Sequence, residues 1–253
     1  MALHKIALVT GGSRGLGKSM ALALAKKGND IILTYLTKEA EALDTVKEIE
    51  LLGQRAAALP LNVADSKSFT SFFNSVSKLL QDHFGAQTFD FLINNAGIGL
   101  HTPFAETTEE QFDTMVNVHL KATFFMTQHA FRLMNDGGGI VNVSTGLARF
   151  TLPGYAAYAT MKGGIETLTK YLAKELGTRQ IRVNVIAPGA IETDFGGGQV
   201  RDNAELNAFV AAQTALGRVG LPEDIGGVVA FLCSEEGRWV NAQRIEASGG
   251  FSL

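Results

Sequence analysis

The sequence predicts a doubly wound α/β fold, a parallel sheet with helices on both faces, from three observations. Apolar runs recur along the 253-residue chain. They lack the polar alternation of strands with one wet face, as a sheet covered on both sides requires. Helix-length segments separate them, and such alternation sustained along a chain gives right-handed crossovers over one core.

In order, the strands are expected at "KIALV" (5–9), "DIILTY" (30–35), "RAAALPL" (55–61), "FDFLI" (89–93), "GIVNVS" (139–144), "IRVNVIA" (181–187) and "QRIEAS" (243–248). Between them, Thr107 with Glu110 predicts a capping box, and Pro222 before Glu223 and Asp224 suits a first helical turn. "DGGGI" (136–140) is expected as a turn into a strand, and "FGGGQ" (195–199) as a mobile loop. No linker, repeat or low-complexity tract interrupts the pattern, so residues 1–253 are expected to form a single domain.

Composition narrows the function. A net charge of −3 without a charged block argues against nucleic acid or a membrane surface as partner. The single cysteine, Cys233, excludes an internal disulfide and points to a reducing cytoplasm. The apolar run before Gly11 is too short for a signal peptide or a membrane helix. No metal site is legible.

After the first strand comes "TGGSRGLGKSMALALAKKG", in which Gly11, Gly15 and Gly17 lead into a helix. Glycines there let the backbone turn tightly against a pyrophosphate, while the helix N-terminus offers free N–H groups. Glycines after a strand are often only a turn, but this is where a Rossmann sheet binds dinucleotides. NAD-selective folds place an acid at the end of the second strand; here Thr34, Tyr35, Leu36 and Thr37 stand there, and the first acid is Glu39. Arg14 in the loop and Lys38 could meet a 2′-phosphate, so NADP(H) is expected.

Tyr158 and Lys162 lie at i and i+4 in "YATMK", on one face of a helix. A neighbouring ammonium favours the phenolate and would bring a phenol from ~10 toward useful acid-base range. A surface tyrosine above a solvated lysine has the same spacing, so the pair alone does not decide.

Together "TGGSRGLG", "NNAG" (94–97), "YATMK" (158–162) and "NVIAPGAIETDF" (184–195) resemble the short-chain dehydrogenase/reductase family in its compact form. The likeness runs from Lys5 to about Gly250 and includes "ALGRVGLPEDIGGVVAFLCS" (215–234). It implies a seven-stranded sheet of order 3-2-1-4-5-6-7, a homotetramer, and catalysis by Tyr158, with Lys162 holding the nicotinamide ribose. Ser13, Leu16, Asn62, Val63, Asn95, Ala96, Gly97, Pro188, Gly189, Ile191 and Thr193 then join the glycines, Arg14 and Lys38 at the cofactor. Asn117 matches the asparagine that helps hold a relay water.

The chain also departs from the pattern. Where the family shows two serines, it has Ser144 and Thr145; Thr145 has the thirteen-residue spacing to the tyrosine and is favoured, with Ser144 as alternative. Asn62 replaces an aspartate beside the adenine, and "NAQRIEASGG" lacks a usual Thr-Gly. His101 and His119 lack partners at useful spacing and are expected to be structural or pocket-lining; His4, His83 and His129 carry no signal.

The implied activity is NADPH-dependent reduction of a ketone or aldehyde, a 3-oxoacyl group or another carbonyl. The alternatives are an NAD-dependent secondary-alcohol dehydrogenase and a non-catalytic nucleotide sensor. Residues 146–154 and a substrate loop at about 190–215 are expected over the nicotinamide, with Leu147, Phe150, Leu152 and Phe195 apolar, and Arg149 or Arg201 open to an anionic group.

Overall fold

A computed structural model describes residues 4–253. Seven parallel strands form one sheet in the order β3-β2-β1-β4-β5-β6-β7. They are β1 (Ile6–Val9), β2 (Asp30–Tyr35), β3 (Ala56–Pro60), β4 (Phe89–Asn94), β5 (Met134–Val143), β6 (Arg182–Pro188) and β7 (Arg244–Ala247). Helices α1 (Gly15–Lys26), α2 (Glu39–Leu51) and α3 (Phe69–Asp82) follow the first three strands. Helices α4 (Glu109–Met115) and α5 (Ala122–Ala130) precede β5, and α6 (Ala156–Glu175) follows it. Helices α7 (Gln199–Asp202), α8 (Ala204–Ala212) and α9 (Pro222–Leu232) lie between β6 and β7.

The strands are apolar on both faces because both faces are covered. Leu8, Ile32 and Leu92 pack with Phe69, Phe73 and Leu80 of α3. Their neighbours Val9, Ile31 and Ile93 pack on the other side with Leu24 of α1 and Ile225 and Val229 of α9. Each such side chain contributes about 1.5–3 kcal/mol on full burial. That is why the runs read as continuous rather than alternating. The sheet closes at β7, whose residues are only half-buried.

Two local expectations shift. The capping box forms one residue later, between Thr108 and Gln111, because the Thr107 hydroxyl is taken by the Pro103 carbonyl at 3.1 Å. "DGGG" belongs to β5 itself, which begins at Met134 and pairs with β4 across a register shift between Phe89 and Phe91. At the far end the forecast holds: Pro222 opens α9 and the Asp224 carboxylate accepts from the Leu221 N–H at 2.7 Å.

Strand order reverses between β1 and β4, and a crevice at the carboxyl ends follows. Most candidate site residues lie on loops and helix starts that follow the strands; Pro188 ends β6, Asn117 lies in the turn between α4 and α5, and Lys162 stands in the second turn of α6.

Candidate active site

The loop after β1 is a cradle set by space. A Cβ on Gly17 would collide with the Gly11 carbonyl oxygen, and Gly15 holds a φ of +53°. Arg14 precedes α1 in extended conformation with no side-chain cap, and the first turn holds no acid. The first N–H groups of α1 therefore point out uncapped, as a pyrophosphate needs. Asn95 stabilises the cradle from β4: its Nδ2 donates to the carbonyls of Thr10 and Gly11 at 2.9 and 3.2 Å. The Thr10 hydroxyl accepts the N–H groups of Asn95 and Ala96, both at 3.0 Å.

The other cofactor candidates gather around this loop. Thr193 sits in van der Waals range of the Cβ direction of Gly15, and Gly189 lies so close to Ser248 that a side chain would clash. Ile191 bridges to Gly220, and Leu16 and Val63 pack against the two core faces. Ser13 is buried and its carbonyl accepts from Thr45. Asn62, after β3, turns its Oδ1 to the Ala64 N–H at 3.0 Å. Pro188 ends β6.

At the end of β2 the strand carries no acid, but Glu39 reaches back, accepting from the Tyr35 hydroxyl at 3.0 Å. Arg14 pairs with Asp194 at 3.1 Å, and Lys38 with Glu41 at 3.2 Å, all about half exposed. Each cation thus already shares a carboxylate.

Tyr158 and Lys162 lie on the inner face of α6, only 6% and 5% exposed. A solvated pair is excluded. Lys162 Nζ donates to the Val143 carbonyl at 2.7 Å and stands 5.7 Å from the centre of the Tyr158 ring. Burial lowers the lysine to about 8. The tyrosine departs from expectation: burial pushes its phenol above the usual value, and the partner that pulls it down is the Thr145 hydroxyl. The ammonium is held at Val143, over the ring face, so desolvation of the phenol prevails. The phenol therefore carries its proton at neutral pH, and burial holds that proton more tightly than in a free phenol.

The two hydroxyls after β5 separate by their partners. Ser144 Oγ donates to Glu166 at 2.7 Å, away from the phenol. Thr145 accepts the Leu147 N–H at 3.3 Å on its oxygen, and its hydroxyl is the polar neighbour that draws the Tyr158 phenol down.

Asn117 lies half-buried in a π-helical turn, Val116–Lys121, and its side chain makes no hydrogen bond among the described residues. The residue of that turn that meets Tyr158 is His119, ring to ring at 5.2 Å and 2% exposed. Its Nε2–H donates to the Ile98 carbonyl at 2.8 Å. Nδ1 is then a bare acceptor, without a hydrogen-bond partner among the described residues. Burial and, less strongly, Lys162 hold this imidazole neutral, down to about 3. A π turn displaces the inward face from ordinary helical spacing, which periodicity does not encode.

Beside Tyr155 opens a cavity of about 430 Å³, lined by His101, Pro103, Leu147, Leu152, Tyr155 and Ala159 among others. Phe195 comes from the opposite loop to 6.0 Å from the Tyr158 ring. Phe150 instead packs on Phe251 at 4.9 Å. Arg149 is neutralised by Glu246, and Arg201 by Asp194 and Asp202, so neither waits for an anionic substrate.

Known proteins resemble this arrangement closely. A family profile described as enoyl-(acyl carrier protein) reductase matches residues 11–252. The hydroxynaphthalene reductase-like protein Arp2 of Metarhizium brunneum is 37% identical over 257 residues, 97% of this chain and 94% of the relative. The promiscuous reductase LugOII, which catalyses keto-reduction at C1 during lugdunomycin biosynthesis, superposes with a TM-score of 0.94 at 38% identity, covering 100% of both chains. The angucycline C-6 ketoreductase LanV, solved with bound NADP, gives 0.94 at 36%, covering 99% of this chain and 97% of its own. On this evidence the chain belongs to the short-chain dehydrogenase/reductase family and is an oxidoreductase.

Proposed function

We propose that the chain is an NADPH-dependent ketoreductase whose substrate is a fused-ring aromatic ketone. The observation that carries the reading is the buried phenol of Tyr158, with Thr145 as the polar partner that draws it down, beside an apolar cavity lined by Ala156 and Ala159 of the same helix. A wall of leucine, proline and aromatic side chains suits flat hydrophobic rings and offers nothing to an anionic chain. Arp2 is described as hydroxynaphthalene reductase-like, and LanV is solved with NADP and rabelomycin. Both descriptions support the same class.

The loop at Gly11–Gly17 would hold the pyrophosphate, Arg14 and Lys38 the 2′-phosphate, and Lys162 the nicotinamide ribose. When bound, the reduced nicotinamide supplies a hydride. Tyr158 gives its phenolic proton to the carbonyl oxygen, a general-acid contribution of about 10²–10⁴-fold. The Thr145 hydroxyl donates to the same oxygen and stabilises the charge that develops there. Lys162, bound to Val143, keeps its positive charge beside the phenolate that remains. Phe195 and the loop at about 190–215 cover the site and exclude water. The family's homotetramer and a cytoplasmic location accompany this reading; the buried lone thiol of Cys233 supports the latter.

Loss of NADPH absorbance with a ketone panel tests it. A fused-ring aromatic ketone is expected to turn over faster than a 3-oxoacyl thioester. Tight NADPH binding with no turnover of any ketone would favour a sensor instead.

A further inference from the structure

The mechanism leaves unused a ring of charge behind the catalytic hydroxyls. Glu166 lies on α6, one turn past Lys162; Arg244 and Glu246 lie on β7; Arg149 lies on the loop after Thr145. Arg244 occupies the centre. Its Nε donates to Glu166 at 2.7 Å, its Nη1 to Glu246 at 2.8 Å and its Nη2 to the Thr145 carbonyl at 3.2 Å. The same Glu166 oxygen accepts from Ser144 Oγ. Arg149 closes the ring, binding both oxygens of Glu246 at 2.7 Å and the carbonyls of Phe251 and Ser252 at 2.8 and 3.1 Å.

Two arginines and two glutamates make the ring neutral, and Glu166, Glu246 and Arg244 are mostly withdrawn from water. Such a cluster holds its geometry more firmly than exposed pairs, which are screened and loose. What it grips is specific. Thr145 is extended, with φ −160° and ψ 155°, and begins the short turn Gly146–Ala148. Its carbonyl is held by Arg244 on one side and its hydroxyl by the Leu147 N–H on the other. Ser144 is turned toward Glu166, which leaves Thr145 as the hydroxyl that acts on the phenol.

We infer that Arg244 is a positioning residue for carbonyl reduction: from the last strand it fixes the Thr145 backbone, while Glu166 draws Ser144 away. This rests on the ketoreductase reading above. A planar fork with donors in three directions is required, and a lysine, a point charge, cannot replace it.

The test is a double-mutant cycle between Arg244→Lys and Thr145→Val, run with NADPH and the best ketone. Arg244→Lys keeps the charge and the fold and is expected to lower kcat about ten-fold, as small displacements of reacting groups do. NADPH affinity should stay within about two-fold, since the cofactor loop lies elsewhere. In a Thr145→Val background the same change should lower kcat no further, because the group it positions is gone. Glu166→Gln, which keeps the acceptor for Ser144, should show a smaller loss with the same dependence on Thr145. An equal loss in both backgrounds, or no loss in either, would overturn the inference. A wild type inactive on every ketone would instead remove the functional reading. Even then a crystal structure of Arg244→Lys decides the inference: Thr145 turned from Tyr158 supports it, and an unmoved Thr145 refutes it.

Discussion

The loop after β1 and the loop after β6 are both rich in glycine, with a different balance of reasons: both use positive φ, but crowding dominates in the first. In the first, glycine is required by crowding: a methyl on Gly17 would meet the Gly11 carbonyl, and one on Gly12 would lie 2.7 Å from Leu33 Cβ. In the second, Gly196 and Gly197 have nothing within 4 Å, and only their φ of +63° and +77° excludes other residues. One loop is built largely by packing and, on the function proposed above, would hold the cofactor. In the other, local backbone preference fixes Gly196 and Gly197. A shared cofactor with a variable substrate calls for this division.

The largest expected effect breaks the crowded side. Gly17→Ala should abolish measurable NADPH binding, because the clash is with backbone that a strand and Asn95 hold in place. Binding within a few-fold of wild type by fluorescence titration would show that the cradle is softer than its contacts indicate.

Next in size is Arg14→Ala. A charge-assisted contact to phosphate contributes about 1.5–3 kcal/mol, or roughly ten- to a hundred-fold. Because Arg14 already shares Asp194, the loss of NADPH affinity should lie near about ten-fold, with NADH almost unchanged. Equal weakening of both cofactors would contradict the 2′-phosphate assignment.

A smaller effect is expected from pH. Lys162 is lowered to about 8 by burial, so it is charged at neutral pH and loses its proton as pH rises through that value. Reduction should therefore be level near pH 7 and decline above about 8, while the raised phenol of Tyr158 stays protonated. A rate that climbs across pH 8 would mean the lysine charge is not needed.

The smallest is Gly197→Ala. A left-handed conformation costs an L-residue about 1–2 kcal/mol, here with no clash added. NADPH affinity should not move, and kcat/KM for the ketone should fall only a few-fold. Lost NADPH binding would erase the contrast between the two loops.

Much of this was legible because it is local. Strand runs, the Gly11–Gly17 loop and the Tyr158–Lys162 spacing are patterns within one element, and the sheet joined them in the expected order. What stayed hidden depends on distant partners. Arg149 looked available for substrate until Glu246, 97 residues away, neutralised it. Ser144 and Thr145 could be ranked by spacing, but only Glu166 shows where the Ser144 hydroxyl goes. His119 reaches Tyr158 through a π turn that its neighbours do not announce. The lowered phenol expected from Lys162 failed for a further reason: desolvation depends on the whole fold, and it outweighed the neighbouring charge.

The central claim is that Tyr158 is the general acid, and comparing two tyrosines three residues apart tests it most directly. Tyr158 is buried against His119, whereas Tyr155 stands at the cavity mouth against His101 at 4.9 Å. Turnover of a reducible ketone is to be measured for Tyr158→Phe and Tyr155→Phe beside NADPH affinity. Tyr158→Phe should bind NADPH within a few-fold of wild type and turn over at least about 10²-fold more slowly, while Tyr155→Phe keeps most activity. Equal turnover of the two variants would contradict the account.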